Sequence, residues 1–243
     1  SVGTRPFLRA DDRVAGGTPI PPQKHQFDAL GKVVPMGITR ALVWFKRDLR
    51  VHDHAPLRTA QSFDSVVAIF VIEPEWLQSS ECDASHVETT LVCLEELRQA
   101  LALRGVPLLV KVGSVLPVFL ALRQDYAFTH LLSHEETGPG WSYTRDVQVG
   151  RWCTGHGVHW QEFSQTGVVR RLRSRQGWAG RWQARMDAPL HRLQGGFNGG
   201  QSLLSELTLD GLPTLAALGV APHQKTLQPV GERAARQTLR SFI

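Results

Sequence analysis

Cysteine is scarce in this sequence, and its distribution argues against two classes of site. Cys82, Cys93 and Cys153 are the only cysteines among 243 residues, and they form no C-x-x-C pair. An odd and unpaired set is typical of a reducing compartment, where disulfides are rare. Cys153, His156 and His159 share a three-residue spacing, but they straddle a predicted helix end, a glycine turn and a strand start. Because they would not share a face and a fourth ligand is missing, we expect no metal site.

Long apolar runs and the common catalytic motifs are also missing. No stretch approaches the roughly 20 apolar residues of a membrane span, and no secretory hydrophobic region stands at the start. We therefore expect a cytoplasmic protein without a membrane partner. The sequence has no G-x-G-x-x-G after its first strand, no G-x-x-x-x-G-K-[ST] and no G-x-S-x-G. The signatures of dehydrogenases, P-loop proteins and α/β-hydrolases are thus absent, and fold alone implies no function.

The composition supplies a core and a basic surface. Hydrophobic residues make up 42% of the chain, which is ample for a folded domain. The formal net charge is +5, which favours anionic partners such as nucleic acid, nucleotides or acidic surfaces.

From residue 39 onward, predicted strands alternate with predicted helices. Continuous apolar runs predict buried strands, whereas apolar residues three or four apart predict amphipathic helices. The strands are predicted at 40–45, 65–72, 106–112, 128–132 and 158–163, and the helices at 55–62, 86–103, 115–124 and 141–152. This alternation predicts an α/β fold with a doubly wound, Rossmann-like five-stranded parallel sheet.

The flanks of this pattern have a different character. Residues 1–38 show no period and are expected to be a disordered N-terminal extension, with a targeting peptide as the alternative. The α/β domain itself is expected over 39–165. Residues 166–230 form an Arg/Trp-rich segment followed by a proline-punctuated connector, and 231–243 are expected to begin a helical domain.

Polar residues crowd the loops that follow the first and fourth predicted strands, where a doubly wound sheet binds ligands. The candidate ligand-binding residues are Lys46, Arg47, Asp48, Arg50, Glu135, Glu136 and Trp141. Charges beside an aromatic surface suit a planar, polar chromophore, which would stack on the ring and hydrogen-bond at its edge. For Arg47, Asp48 and Arg50 we favour an ion-pair network that holds the loops or docks another domain, because short-range ion pairs are the commoner use of such clusters.

Residues 167–186, which we call the arginine segment, hold six arginines and no acidic residue. The candidate nucleic-acid contacts are Arg170, Arg171, Arg173 and Arg175, with Trp178 and Trp182 as stacking platforms. Because the two tryptophans are four residues apart, they share a helix face, and such aromatics usually face a core. We therefore expect the tryptophans to pack on the α/β domain, with nucleic acid as the alternative.

The run Trp44 to His54, WFKRDLRVHDH, resembles the first strand and loop of the photolyase/cryptochrome family. That family usually reads Trp-Phe-Arg-Arg-Asp-Leu-Arg-Leu-x-Asp-Asn, so Lys46, Val51 and His54 are departures here. The resemblance continues through 133–145 (SHEETGPGWSYTR) and, more loosely, to about residue 192. It implies the N-terminal α/β domain of the family.

The resemblance also implies cofactors. A light-harvesting antenna chromophore is expected in the crevice, either a deazaflavin or FMN, since Glu136 falls near the acidic position of the deazaflavin pocket. Folate is less expected, because Trp141 and Ser142 stand where the folate type has an Asn-Glu pair. A domain without any antenna is the alternative. The catalytic FAD belongs to a helical domain that would follow Glu232, so we expect a truncated chain that holds no catalytic residues.

The resemblance thus predicts the light-harvesting domain of a deoxyribodipyrimidine photolyase-like flavoprotein. The parent protein would use FAD and blue light to repair pyrimidine dimers, with damaged DNA and the FAD-binding helical domain as partners. In the family, DNA is bound chiefly by the helical domain. Two alternatives stay open: a cryptochrome-type photoreceptor and a stand-alone nucleotide-binding module.

Overall fold

The computed structural model describes residues 25–27, 33–35, 38–170, 172–198 and 209–242. In chain order its strands are β1 (His25–Phe27), β2 (Val33–Pro35), β3 (Arg40–Phe45), β4 (Ser65–Ile72), β5 (Leu108–Val112), β6 (His130–His134) and β7 (His159–Phe163). Its α-helices are α1 (Ala55–Ala60), α2 (Pro74–Leu77), α3 (Ala84–Ala102), α4 (Val115–Tyr126), α5 (Gly140–Gly155), α6 (Trp178–Met186) and α7 (Glu232–Ser241).

Strands β3 to β7 form one parallel sheet in the order β5-β4-β3-β6-β7. The chain first moves from the central strand β3 to one edge, and then returns to β6 on the other side of β3. This reversal makes the sheet doubly wound, as the sequence predicts, and it creates a switch point between β3 and β6. The carboxyl ends of these two strands diverge into separate loops, which leaves room for a crevice.

The sheet is covered on both faces because its central strands are apolar at nearly every position. All eight residues of β4 are buried, and successive side chains point to opposite faces. Ala41, Val43 and Phe45 pack with α1 and α3 on one face. Leu42 and Trp44 pack with α4 and α5 on the other. A strand with two apolar faces is stable only between two helical layers, which explains the three-layer architecture.

Two differences from the predicted elements have clear causes. Strand β6 ends at His134 and not at Leu132, because Ser133 and His134 are polar but buried and find hydrogen-bond partners inside the protein. Within 1–38, β1 and β2 pair as antiparallel strands where we expected no regular structure. Apart from these strands and Ile38, the predicted disordered extension lies outside the described residues.

Within the described part of the chain, no helix combines the length and the apolar character needed to cross a bilayer.

Candidate functional site

A cavity of about 1110 Å³ opens at the carboxyl ends of β3 and β4, next to the switch point. Its far wall is α7, which is held against the loop after β3 through Glu232. The carboxylate of Glu232 accepts the backbone N–H groups of Val51 (2.8 Å) and His52 (3.0 Å). At the start of the same helix, Glu96 of α3 accepts the backbone N–H of Arg233 at 2.9 Å. Two carboxylates therefore fix the position of this wall.

What we call the guanidinium cluster consists of Lys46, Glu73, Glu136 and Arg145, which line one wall of the cavity, and of Asp146, which does not line it. Arg145 lies at its centre and donates hydrogen bonds to Glu73, to Glu136 (3.1 Å) and to Asp146 (2.9 Å). Lys46 donates to the other oxygen of Asp146 at 2.7 Å and to the carbonyl of His134 at 3.1 Å. Carboxylates from the loops after two strands and from α5 thus converge on one guanidinium, and Lys46, which follows a third strand, shares Asp146 with it.

Both cations of the guanidinium cluster also lie over aromatic rings. The Nζ atom of Lys46 is 4.4 Å from the ring centroid of Trp44, and the guanidinium carbon of Arg145 is 4.8 Å from it. Arg145 is in addition 5.4 Å from the ring of Trp141. Such cation–π contacts hold the charges in place at the edge of the apolar core.

Carboxylates outnumber cations in this cluster, three to two. Arg47 is the nearest further cation, 4.0 Å from Glu136, but its side chain is 58% exposed. Burial raises the pKa of Glu73 to about 7, against the opposing charge of Arg145. Burial would lower the pKa of Arg145, but the carboxylates of Glu73 and Asp146 outweigh it and raise that pKa. The cavity wall is therefore rich in hydrogen-bond acceptors, and one of its carboxyl groups, that of Glu73, has a pKa close to neutral pH.

Two further features favour a bound ligand over a closed ion-pair network. The buried indole N–H of Trp141 has no acceptor among the described residues, although Trp141 lines the cavity. Gly138 donates its backbone N–H to Glu136 at 2.7 Å, and a Cβ atom there would lie 2.7 Å from Glu136 and 2.8 Å from Arg47. A side chain at residue 138 would therefore displace the ends of Glu136 and Arg47, two residues that line the cavity.

A second buried polar group, the imidazole cluster, consists of Asp48, His54 and His134. One oxygen of Asp48 accepts from Nε2 of His54 at 2.8 Å and from Nδ1 of His134 at 2.5 Å. The other oxygen accepts the backbone N–H of Lys46 at 2.8 Å. Nδ1 of His54 accepts the backbone N–H of Leu57, so His54 caps α1. This cluster ties the loop after β3 to the end of β6.

The pKa values of Asp48 and His54 in the imidazole cluster are both lowered, for different reasons. Burial lowers the pKa of His54 to about 4, against the pull of Asp48. Burial would raise the pKa of Asp48, but hydrogen bonds from His134 and His54 hold it well below its usual range. The pair is therefore a carboxylate beside a neutral imidazole at neutral pH.

The three side chains of the imidazole cluster lie close enough together to be considered as metal ligands. Their arrangement favours hydrogen bonding instead. Because Nδ1 of His54 accepts from Leu57, the proton of the neutral ring sits on Nε2, which faces Asp48. A nitrogen that carries a proton cannot bind a metal.

The structure brings most of the predicted ligand-binding residues to the cavity. Lys46, Arg47, Asp48, Arg50, Glu136 and Trp141 are among the residues that line it. The side chain of Arg50 is occupied within its own loop, since it donates to the carbonyls of His52 and Asp53. Glu135 does not line the cavity; it pairs at 3.2 Å with Arg170, which also pairs with Glu162 at 2.8 Å. As ligand contacts, these residues stay predictions.

The arginine segment lies elsewhere, and none of its described residues lines the cavity. Trp178 is 39% exposed and Trp182 is 41% exposed, so the expectation that they pack into the α/β core is wrong. Trp182 lies instead against Gly167 of the same segment. Arg173 and Arg175 are exposed, Arg170 is paired as described above, and Arg171 lies outside the described residues.

Sequence reasoning missed Glu73 and Arg145 as parts of the cavity wall, and Asp146 as their partner in the guanidinium cluster. Glu73 directly follows β4, so the rule that ligands bind at the carboxyl ends of parallel strands could have found it. Arg145 and Asp146 lie in the first turns of α5, and nothing in their spacing signals that Arg145 meets Glu73 or that Asp146 meets Lys46.

The sequence profile described as DNA photolyase matches residues 41–177, which is more than half of the chain. The chain therefore belongs to the DNA photolyase family, which includes the cryptochromes. The matched range contains the sheet, the imidazole cluster and the guanidinium cluster.

Named relatives agree with this assignment. The chain is 28% identical to Cryptochrome DASH, chloroplastic/mitochondrial, of Solanum lycopersicum over 122 residues, which are 47% of this chain and 21% of that protein. It is 29% identical to Cryptochrome-1 of Spalax judaei over 124 residues, 51% of this chain and 21% of that protein. The alignments thus span about a fifth of these curated relatives.

Solved structures show the same fold. A bacterial class III photolyase from Agrobacterium tumefaciens superposes with a TM-score of 0.60 at 17% identity, covering 85% of this chain and 45% of that one. An archaeal photolyase from Sulfolobus tokodaii, described as containing two FAD molecules, gives a TM-score of 0.50 at 19% identity, covering 67% and 38%. At these identities the likeness shows the α/β fold alone.

Proposed function

We propose that the cavity binds a planar, polar chromophore and that this chain is the light-harvesting part of a photolyase-like flavoprotein. The observation that carries the proposal is the guanidinium cluster, which places an excess of acceptors and an aromatic surface on the wall of a large cavity. In the parent protein, FAD would be bound by the helical domain, and damaged DNA containing pyrimidine dimers would be the substrate.

A deazaflavin or a flavin fits the residues of this cavity better than a folate does. Trp141 offers a ring face and an unpaired indole donor, whereas the folate type would have an Asn-Glu pair at residues 141–142. FMN is the flavin predicted from the sequence. The archaeal photolyase is described as having two FAD molecules and a novel light-harvesting cofactor, so FAD joins FMN as a candidate.

The residues have distinct roles in this proposal. Glu136 and Glu73 would accept hydrogen bonds from ring N–H groups, and Arg145 would keep both carboxylates oriented. Arg47 is the exposed cation at the cavity edge and would meet a ligand phosphate. The bound chromophore would supply light absorption and energy transfer, while these side chains fix its orientation and exclude water.

The test is a titration of the purified chain with FMN, FAD, a deazaflavin and a reduced folate, followed by absorbance and fluorescence. We expect saturable binding of a flavin or deazaflavin, weakened about tenfold by Glu136→Gln, because one charge-assisted hydrogen bond is lost. Arg47→Gln should weaken the phosphate-bearing flavins and leave a phosphate-free deazaflavin unaffected.

The neighbouring glutamate provides a matched control. Glu135→Gln changes the same charge one residue away, but Glu135 pairs with Arg170 outside the cavity. It should leave the dissociation constant unchanged. If a cooperatively folded chain bound none of the four compounds, or if both variants weakened binding equally, the cavity would not be an antenna site.

A cryptochrome-type photoreceptor is the second candidate for the parent protein. It is favoured by the names of the curated relatives in tomato and in Spalax judaei. The antenna proposal is common to both candidates, and the sequence-based cytoplasmic location stays a prediction for either. If the full-length parent removed pyrimidine dimers in a light-dependent reaction, the parent would be a photolyase and not a cryptochrome-type photoreceptor.

A further inference from the structure

The chain's basic excess is confined to the arginine segment. These 20 residues hold six of the 27 lysines and arginines and none of the 22 acidic residues. The remainder of the chain has 21 basic and 22 acidic residues, so without the segment its charges nearly cancel. A local positive charge of this density attracts polyanions over distances of about a Debye length, roughly 8–10 Å.

Several of these arginines have no acidic partner. Arg170 is paired with Glu135 and Glu162, and it anchors the start of the segment at the carboxyl ends of β6 and β7. Arg173 and Arg175 are exposed and form no ion pair among the described residues. Arg181 only reaches the carbonyl of Gln176, at 3.5 Å, within the segment itself. Three guanidinium groups are therefore available to an external anion.

An aromatic stripe runs along α6 beside these arginines. Trp178, Trp182 and Met186 are spaced four residues apart, so they lie on one face of the helix. They are 39%, 41% and 47% exposed. Two tryptophans on one exposed helix face are unusual for a soluble surface unless they contact a partner. The four-residue spacing separates the rings by about 6 Å along the helix axis.

We infer that the arginine segment is a binding surface for single-stranded nucleic acid, separate from the cavity. Arginines that contact phosphates and aromatic rings that stack on bases are the two elements of such surfaces. A duplex keeps its bases stacked inside, where these tryptophans would not reach them. The aromatic stripe therefore favours a single strand over a duplex, and the inference does not depend on the chromophore proposal.

The experiment measures fluorescence anisotropy of labelled oligothymidylate and oligouridylate of about 12 nucleotides, within the range bound by known single-strand modules. A duplex of the same length is measured in parallel with the full chain over a range of salt concentrations. We expect both single strands to bind more tightly than the duplex. A preference for one of them would say whether DNA or RNA is the natural ligand.

Two variants separate stacking from phosphate contacts. Trp178→Ala with Trp182→Ala should weaken binding at least about tenfold, and Trp178→Phe with Trp182→Phe should restore most of it, since a phenyl ring still stacks. Arg173→Gln with Arg175→Gln should reduce the slope of log K against log salt by about 1.4, because each single-strand phosphate contributes about 0.7.

The matched control is Arg151→Gln, which removes an exposed arginine of α5 outside the segment. It should leave both the affinity and the salt slope unchanged. The inference is overturned if the wild-type chain binds no oligonucleotide at low salt, if it prefers the duplex, or if the Trp-to-Ala variant binds as well as wild type. Self-association that is lost in the Trp-to-Ala variant, without oligonucleotide binding, would instead identify α6 as a contact between copies of the chain.

Discussion

Asp48 and Glu73 are both buried carboxylates at the carboxyl edge of one sheet, yet their surroundings are opposite in character. In the imidazole cluster, one carboxylate receives hydrogen bonds from His54, His134 and the backbone N–H of Lys46. In the guanidinium cluster, three carboxylates share two buried cations. Asp48 is accordingly held ionised, whereas the pKa of Glu73 is raised to about 7.

This difference follows from how completely each cluster is balanced within the protein. Asp48 borders the cavity, but it is only 2% exposed, and both of its carboxylate oxygens have hydrogen-bond partners within the protein. The guanidinium cluster lies on a cavity wall, where an incompletely balanced carboxyl can still be met by a ligand. A satisfied cluster fixes loop geometry, and an unbalanced cluster next to a cavity is typical of a binding site.

The largest effect should come from removing the shared cation of the guanidinium cluster. Arg145→Met would leave Glu73, Glu136 and Asp146 buried with only Lys46 to balance them. Because unpaired buried charges are costly, we expect a loss of about 3 kcal/mol in the free energy of unfolding. Urea denaturation at pH 7.5, followed by circular dichroism, measures it.

Arg123→Met is the matched control for this substitution. Arg123 is also partly buried, but it donates only to the carbonyls of Phe128 and His156. Its loss should cost about 1 kcal/mol, the usual range for hydrogen bonds to neutral acceptors. Equal losses in the two variants would show that the guanidinium cluster has no special charge balance.

The sheet could be predicted from the sequence because its signal is local. Ala41 to Phe45 and the eight residues of β4 are continuous apolar runs, and each run needs only its own side chains to be recognised. The alternation of strands with helices predicted that the sheet is parallel and doubly wound. The rule that ligands bind at the carboxyl ends of parallel strands then predicted Lys46, Arg47 and Glu136 near the crevice.

The guanidinium cluster could not be predicted in the same way because it is non-local. Arg145 meets Glu73 across 72 residues of sequence, and Lys46 meets Asp146 across 100. Charged side chains also carry no sign of being buried until their partners are known. The prediction for the tryptophans of α6 was wrong although its signal is local. Their helical spacing is that of a core-facing stripe, but both side chains remain exposed.

A smaller effect should follow from Glu73→Gln, and it should depend on pH. The pKa of Glu73 is about 7 in the folded state and near 4.5 when unfolded, so the folded state binds the proton more tightly. Wild-type stability is therefore lost as pH rises from about 4.5 through 7. The variant lacks this loss and should be more stable than wild type at pH 8, by on the order of 2 kcal/mol, and similar to it at pH 5.

Glu75→Gln tests whether position or charge explains that result. Glu75 lies on the exposed side of α2, two residues from Glu73, and its substitution by glutamine removes the same formal charge. Its stability curve should follow wild type closely from pH 5 to 8, with a slightly smaller loss at the alkaline end, because the charge of Glu75 helps to raise the pKa of Glu73. If Glu73→Gln were no more stable than wild type at pH 8, Glu73 would belong to a balanced cluster like that of Asp48.

The smallest effect at neutral pH is expected for His54→Asn, which introduces the residue that the family usually has there. Asparagine can still cap α1, but it gives up the hydrogen bond from Nε2 of His54 to Asp48 and is smaller beside Phe45, so we expect a loss of about 1.5 kcal/mol at pH 7.5. The pKa of His54 is about 4 when folded, against 6.5 when unfolded, so protons bind the unfolded state more tightly. Wild-type stability therefore falls as pH drops from about 6.5 to 4, and the variant lacks this fall.

The stability deficit of His54→Asn relative to wild type should therefore vanish or reverse by pH 4.5. The control is His52→Asn, which changes an exposed histidine of the same loop and should follow wild type throughout. A deficit that stayed constant from pH 7.5 to 4.5 would mean that His54 is not held neutral, and the contrast between the two clusters would fail.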